Sequence, residues 1–86
     1  MPNPVLLNEF ESHTPNMELC KKMIMKNQKE YIRKRLRFIK YLWEGKTEIE
    51  AYTEVKICKA TANKLLHTIV SLGVDEGLIE ISKVKK

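Results

Sequence analysis

The pattern that most constrains the fold lies between Lys59 and Leu72. Apolar residues recur there at the i, i+3, i+4 and i+7 spacing of a helix that buries one stripe. This stripe consists of Ala62, Leu65, Leu66, Ile69 and Leu72. Because other parts of the chain also show helical periodicity and must cover this stripe, the sequence predicts an all-α fold, a small helical bundle.

The other side of this predicted helix is cationic. Lys59, Asn63, Lys64 and His67 lie between the apolar positions, and residues 55–74 contain no Asp or Glu. A surface of cations and hydrogen-bond donors without acids is suited to a polyanion.

A shorter helix is predicted just before it, over residues 47–55, with Ile49, Tyr52 and Val55 on one side. Residues 56–58 form a tight turn that carries one apolar side chain. A helix, a short turn and a second helix with a basic outer face is the layout of a DNA-binding helix-turn-helix.

A longer helix is predicted from about Lys29 to the stop at Gly45, with Ile32, Leu36 and Ile39 on its apolar side. Its other faces carry five cations, with no acid from residue 31 to residue 42. These cations are Arg33, Lys34, Arg35, Arg37 and Lys40. Because like charges repel one another unless a polyanion lies alongside, we expect phosphate contacts rather than a merely solvated surface.

Three segments are predicted along the chain: residues 1–13 as a flexible arm, 14–82 as the DNA-binding domain and 83–86 as a basic tail. Thr14 and Pro15 predict a helix start. The methionines of this helix either fill the core, which we favour, or form a protein-binding surface. Near the end, the apolar residues either fold back onto the helices or form a short strand near residues 78–82.

Composition limits the size of the fold and the kinds of functional site that the chain can contain. The 86 residues carry 16 Lys and Arg against 11 Asp and Glu, and we expect one small domain that a homodimer or a bound partner would help to stabilise. Cys20 and Cys58 are far apart, with His13 and His67 as the only histidines, so we expect no metal and no other cofactor. We also expect no enzymatic activity and no small-molecule substrate, since no nucleophile–base pair and no phosphate-binding glycine loop is recognisable.

The same reasoning bears on location. No apolar run reaches the ~18 residues of a membrane span, and no apolar leader is recognisable at the start of the chain. We therefore expect no membrane partner and a cytoplasmic, nucleoid-associated protein with reduced thiols.

Four short motifs together resemble a known module. They are RKRLRFI (33–39), LWEG (42–45), VKICKATA (55–62) and SLGVDEGL (71–78). They resemble the N-terminal homeodomain-like helix-turn-helix of mariner-superfamily bacterial insertion-sequence transposases, over roughly residues 19–80. In that family's pattern, Arg33 and Arg35 take the basic pair of the first helix and Thr61 the threonine near the start of the recognition helix.

The resemblance implies sequence-specific binding of double-stranded DNA. Cys58 departs from the family, since it stands where a serine cap is usual and a thiol is a poorer cap. The family's catalytic carboxylates have no counterpart in these residues. The resemblance therefore implies a transposase-type DNA-binding domain or a small transcriptional regulator on the same scaffold, rather than transposition chemistry.

In a helix-turn-helix the second helix enters the major groove, where lysine reads guanine, asparagine reads adenine and alanine contacts the thymine methyl group. The predicted base contacts are Lys59, Ala60, Asn63, Lys64 and His67, although His67 is equally compatible with an ordinary surface role. The predicted phosphate contacts are Arg33, Arg35, Arg37, Lys40 and Thr61.

The alternative is a protein-interaction module whose basic helical surface binds an acidic partner. Tyr41, Trp43 and Tyr52 would then be the anchoring side chains. RNA satisfies the same charge argument, but the aromatic residues are not arranged as a stacking platform.

Overall fold

The computed structural model describes residues 4–83, and this part of the chain is all-α. Its six helices are α1 (Pro4–Glu11), α2 (Met17–Lys26), α3 (Glu30–Trp43), α4 (Glu48–Val55), α5 (Lys59–Leu72) and α6 (Val74–Ser82). They pack into one bundle with extents of 32 × 24 × 22 Å. The predicted all-α helical bundle is confirmed.

Helix α5 lies at the centre of the bundle, where it contacts α1, α3, α4 and α6. Its core positions are the predicted ones: Ala62, Leu65, Leu66 and Ile69 are all buried. The prediction was wrong for Leu72, whose side chain is 48% exposed. Leu72 is the last residue of α5, and Gly73, with φ +89°, turns the chain away immediately after it.

Helix α3 is the second layer of the core and contacts α2, α4, α5 and α6. Ile32, Leu36 and Ile39 are buried as predicted, and Phe38 is buried as well, outside the predicted stripe. A helix that is covered from several sides buries more than one stripe. Gly45, with φ +102°, follows the end of α3 at the predicted position.

The structure corrects the prediction that residues 1–13 form an arm. Within the described residues, the segment forms α1, and Leu6 and Phe10 lie in the core. The ring of Phe10 stacks on Trp43 of α3, with 6.1 Å between ring centroids and 12° between planes. Leu6 and Phe10 are four positions apart and so lie on one face of α1, and Leu7 is partly buried against the same core.

Helix α2 begins later than predicted. Its N-cap is Asn16 rather than Thr14, and Oδ1 of Asn16 accepts a hydrogen bond from the N–H of Leu19 at 3.1 Å. The amide of Asn16 also donates to Asp75 of α6 at 2.9 Å. Asparagine is as good an N-cap as threonine, and this contact with α6 adds a reason for the later start.

The predicted alternative of a short strand near residues 78–82 is wrong, because this segment belongs to α6. Leu78 and Ile81, three positions apart, are both buried, whereas Ile79 is partly exposed. Gly77 makes the close packing possible, since a Cβ at this position would lie 2.7 Å from Cδ1 of Ile69. The apolar residues therefore fold back onto α5 as a helix.

Helix α4 has the predicted bounds but a different buried side. A capping box between Thr47 and Glu50 fixes its start. The buried residues are Glu48, Ala51 and Val55, whereas Ile49, predicted to face inward, is 51% exposed. The buried stripe thus includes an acid, which a pattern of apolar residues does not identify.

Candidate nucleic-acid interface

The turn between α4 and α5 has a backbone conformation that fixes its direction. Lys56 adopts the left-handed conformation, with φ +65° and ψ +47°. The N–H of Ile57 donates back to the carbonyl of Tyr52 at 3.1 Å, which closes the end of α4. The chain then enters α5 at Lys59, after a turn of the predicted length.

Cys58 and Thr61 contact each other at the start of α5. Sγ of Cys58 lies 3.2 Å from Oγ1 of Thr61. The hydrogen bond with the Thr61 hydroxyl lowers the pKa of the exposed Cys58 thiol. Thr61, a predicted phosphate contact, is half-buried and already has this partner.

One stripe of α5 faces outward along the whole helix. It consists of Ala60, Lys64, His67 and Ser71 at i, i+4, i+7 and i+11, all of them exposed. Three of the five predicted base contacts share this stripe, and Ser71 was not predicted. The stripe is the part of α5 that can approach a large ligand without any rearrangement.

The other two predicted base contacts, Lys59 and Asn63, are half-buried. The positive charge of Lys59 acts on the buried carboxyl of Glu48 in α4 and partly offsets the effect of burial on its pKa. Oδ1 of Asn63 is buried and has no hydrogen-bond partner among residues 4–83. Both residues lie beside the exposed stripe rather than on it.

Arg35 is the α3 cation that lies next to α5. It lines a groove of about 350 Å³ together with Thr61, Lys64 and Thr68 of α5 and Glu80 of α6. Its guanidinium lies 5.4 Å from the ring centroid of Tyr31. The structure thus brings a predicted phosphate contact of α3 beside Thr61 and Lys64.

The remaining predicted phosphate contacts lie elsewhere on α3. At 100° per residue, Arg33, Arg37 and Lys40 share one side of the helix, and Arg35 lies on nearly the opposite side. Arg37 and Lys40 line a groove with α2 instead of α5.

The acids that flank this side of α3 pair with its cations. Glu30 lies 3.9 Å from Arg33 and 3.5 Å from Arg37, and Glu44 lies 3.0 Å from Lys40. Two acids just outside the 31–42 window therefore pair with these three cations, and the count of charges within that window omitted them.

No family model matches this chain, and no curated protein or solved structure matches it significantly. The resemblance to transposase domains therefore stays a prediction that rests on the short motifs alone. In the part of the chain that the structure describes, no helix is long and apolar enough to cross a membrane. Residues 4–83 also contain no group of three His, Cys, Asp or Glu side chains that could hold a metal ion.

Proposed function

We propose that this chain binds double-stranded DNA sequence-specifically, with α4 and α5 as a helix-turn-helix and α5 in the major groove. The observation that carries the proposal is the exposed stripe of α5. This helix follows a three-residue turn, and residues 55–74 contain no Asp or Glu. The major groove of B-DNA is about 12 Å wide and admits one α-helix.

Within this proposal, base reading belongs to the residues of the stripe. Lys64 donates to guanine O6 or N7, Ala60 contacts a thymine methyl group and His67 reaches a base near the end of the contact. Lys59 and Asn63 flank these residues. Asn63 would need to turn its buried Oδ1 outward before it could pair with adenine.

Affinity without sequence preference comes from phosphate contacts beside the stripe. Arg35 and Thr61 lie next to Lys64 in one groove, so they can contact the backbone that borders the major groove. Thr61 also lies in the first turn of α5, where backbone N–H groups favour an anion. Arg33, Arg37 and Lys40 are not part of the proposed DNA contact, because they lie on the other side of α3.

Such a domain would serve a transposase-type protein or a small transcriptional regulator. The short motifs support the first, and the absence of the family's catalytic carboxylates from these residues is compatible with either. In either role the chain would act on DNA in the cytoplasm. It would bind as a monomer on an asymmetric site or as a homodimer on a palindrome.

The test is selection from a random duplex pool and from an equal-length single-stranded pool, over a salt series, followed by sequencing. We expect enrichment of a duplex motif and an affinity that falls steeply with salt. Lys64→Ala should relax the preference at one or two positions of the motif, whereas Lys22→Ala on α2 should leave it unchanged. Unselective retention of both pools would contradict the proposal.

A further inference from the structure

A second surface of the molecule combines exposed apolar side chains with cations. It is a groove of about 290 Å³ between α2 and α3. Each helix contributes three residues at i, i+3 and i+4, so two matching ridges face each other across the groove. The lining residues are Lys21, Ile24 and Met25 of α2, and Arg37, Lys40 and Tyr41 of α3.

The apolar part of the groove is accessible. Met25 is 85% exposed, so it does not fill the core, contrary to the role favoured for the methionines. Ile24 and Tyr41 are partly buried beside it and pack against the core. A single exposed methionine is unremarkable, but one that borders a groove with two further apolar side chains gives a flexible contact surface.

The rim of the groove is positively charged. None of the described residues that line it is acidic, and three of the six are Lys or Arg. Glu30 and Glu44 pair with Arg37 and Lys40 from outside the groove. Surface ion pairs of this kind contribute little to stability, so carboxylates from another molecule can replace these acids at little cost.

We propose that this groove is a docking site for an acidic amphipathic helix of another protein. An apolar anchor of the partner would pack between Met25 and Tyr41, and its carboxylates would meet Lys21, Arg37 and Lys40. The apolar centre favours such a segment over a nucleic acid backbone, which gains nothing from Ile24 and Met25. The proposal goes beyond DNA binding and does not depend on it, because none of these residues belongs to the α5 surface.

The experiment uses the full 86-residue chain as bait for a display library of helical peptides with randomised faces. Selection on the wild-type chain is compared with selection on the Met25→Glu variant, which changes an exposed position in the groove. The Val5→Glu variant is the control, because it adds the same charge on α1, outside the groove. The most enriched peptide is then titrated by fluorescence anisotropy against Lys21→Glu and against Lys22→Glu. The last two variants change the same charge on adjacent residues of α2, and only Lys21 lines the groove.

We expect enriched peptides in which Leu, Ile, Phe or Met is flanked by Asp or Glu, and enrichment that is lost with the Met25→Glu bait but kept with Val5→Glu. Lys21→Glu should weaken the peptide by roughly tenfold or more, and Lys22→Glu by less than about twofold. The proposal is overturned if no peptide is enriched over the Met25→Glu bait, if the enriched peptides lack acids, or if both lysine variants weaken binding equally.

Binding of the variants to the random duplex pool distinguishes the docking proposal from the DNA-binding proposal. Lys21→Glu should bind duplex DNA as the Lys22→Glu variant does, because both changes add the same negative charge to the chain. A selective loss of duplex binding in Lys21→Glu would assign the groove to the nucleic acid instead and would overturn the docking proposal.

Discussion

Glu48 lies on the side of α4 that faces the core, and only 3% of its surface is exposed. Neither carboxylate oxygen has a hydrogen-bond partner among residues 4–83. Burial raises the pKa of this carboxyl, and the charge of Lys59 lowers it only in part. Because a raised pKa favours the protonated form in the folded state, Glu48 destabilises the fold increasingly as the pH rises from its ordinary pKa to the raised one.

We therefore expect Glu48→Gln to raise the free energy of unfolding at pH 7 by about 1 kcal/mol, because it removes a buried charge. Below the ordinary glutamate pKa, at about pH 4, wild type and variant should differ little. Urea titrations of wild type and variant at the two pH values measure the free energy of unfolding of each. An equal gain at pH 4 and pH 7 would show that charge is not the cause.

Glu50 provides a control of opposite sign on the same helix. The N–H of Thr47 donates to its carboxylate at 3.0 Å and lowers its pKa. Its stabilising contribution is therefore present above the ordinary glutamate pKa and is lost as the pH falls through the lowered one. Glu50→Ala should lower stability at pH 7 and have a smaller effect in acid.

The two cysteines differ in their surroundings and should differ in reactivity. Burial raises the pKa of Cys20 to about 12, and its thiol donates to the carbonyl of Leu36. Cys58 is exposed, and the Thr61 hydroxyl lowers its pKa. Since the thiolate is the reactive form, iodoacetamide at neutral pH should modify Cys58 in the native protein and Cys20 only after unfolding.

Mass spectrometry of the labelled chain over time measures the two rates. Thr61→Val should slow the labelling of Cys58, because it removes the hydroxyl that stabilises the thiolate. Ser71→Ala, at the far end of α5, is the matched control and should leave the rate unchanged. Labelling of Cys20 at a comparable rate in the native state would contradict the burial that the structure describes.

At the scale of elements, α3 presents two different basic sides, and they should respond differently to mutation. Arg35→Ala should weaken all duplex sequences and reduce the slope of log affinity against log salt by about 0.9, the contribution of one phosphate contact. Arg33→Ala should change affinity by less than about twofold, since Arg33 faces Glu30 on the other side of the helix. Titrations at several salt concentrations test the pair, and equal effects would refute the division of α3.

Helix α1 depends on very few side chains, and Phe10 is the largest of them. Phe10 is 1% exposed and stacks on Trp43. We expect Phe10→Ala to lower the free energy of unfolding by about 3 kcal/mol, because it removes a large buried side chain and leaves a cavity. Val5→Ala on the same helix, at a position that is 65% exposed, should change stability by less than about 0.5 kcal/mol. Chemical denaturation of the two variants makes the comparison.

For four of the six helices in the described residues, α1, α3, α5 and α6, length decided how well the sequence predicted them. Helices α3 and α5, with 14 residues each, repeat their apolar pattern over several turns, so their bounds were predicted to within about a residue. Helices α1 and α6 have eight and nine residues, and each buries only two large side chains. Two apolar residues three or four apart do not distinguish a short helix from a loop or strand until the packing is known.

At the scale of the whole molecule, the packing of the helices determines which of the predicted site residues lie on the same surface. Ala60, Lys64 and His67 share the exposed stripe as their spacing predicts. Lys59 and Asn63 are half-buried. Helix α5 contacts four other helices, and one of them, α1, was not predicted from the sequence. The pairing of the α3 cations with Glu30 and Glu44 was also missed, because a count of charges within residues 31–42 omits acids that lie just outside this window.

The contrast between the two thiols makes the chain suitable for distance spectroscopy without any mutation. A nitroxide reagent applied to the native protein would attach at Cys58, at the very start of α5, and leave Cys20 untouched. In a homodimer seated on two half-sites, the paired spins would be separated by on the order of 34 Å, one turn of the double helix. A monomer would hold a single spin and show no dipolar coupling, so one pulsed resonance measurement would count the copies on the DNA.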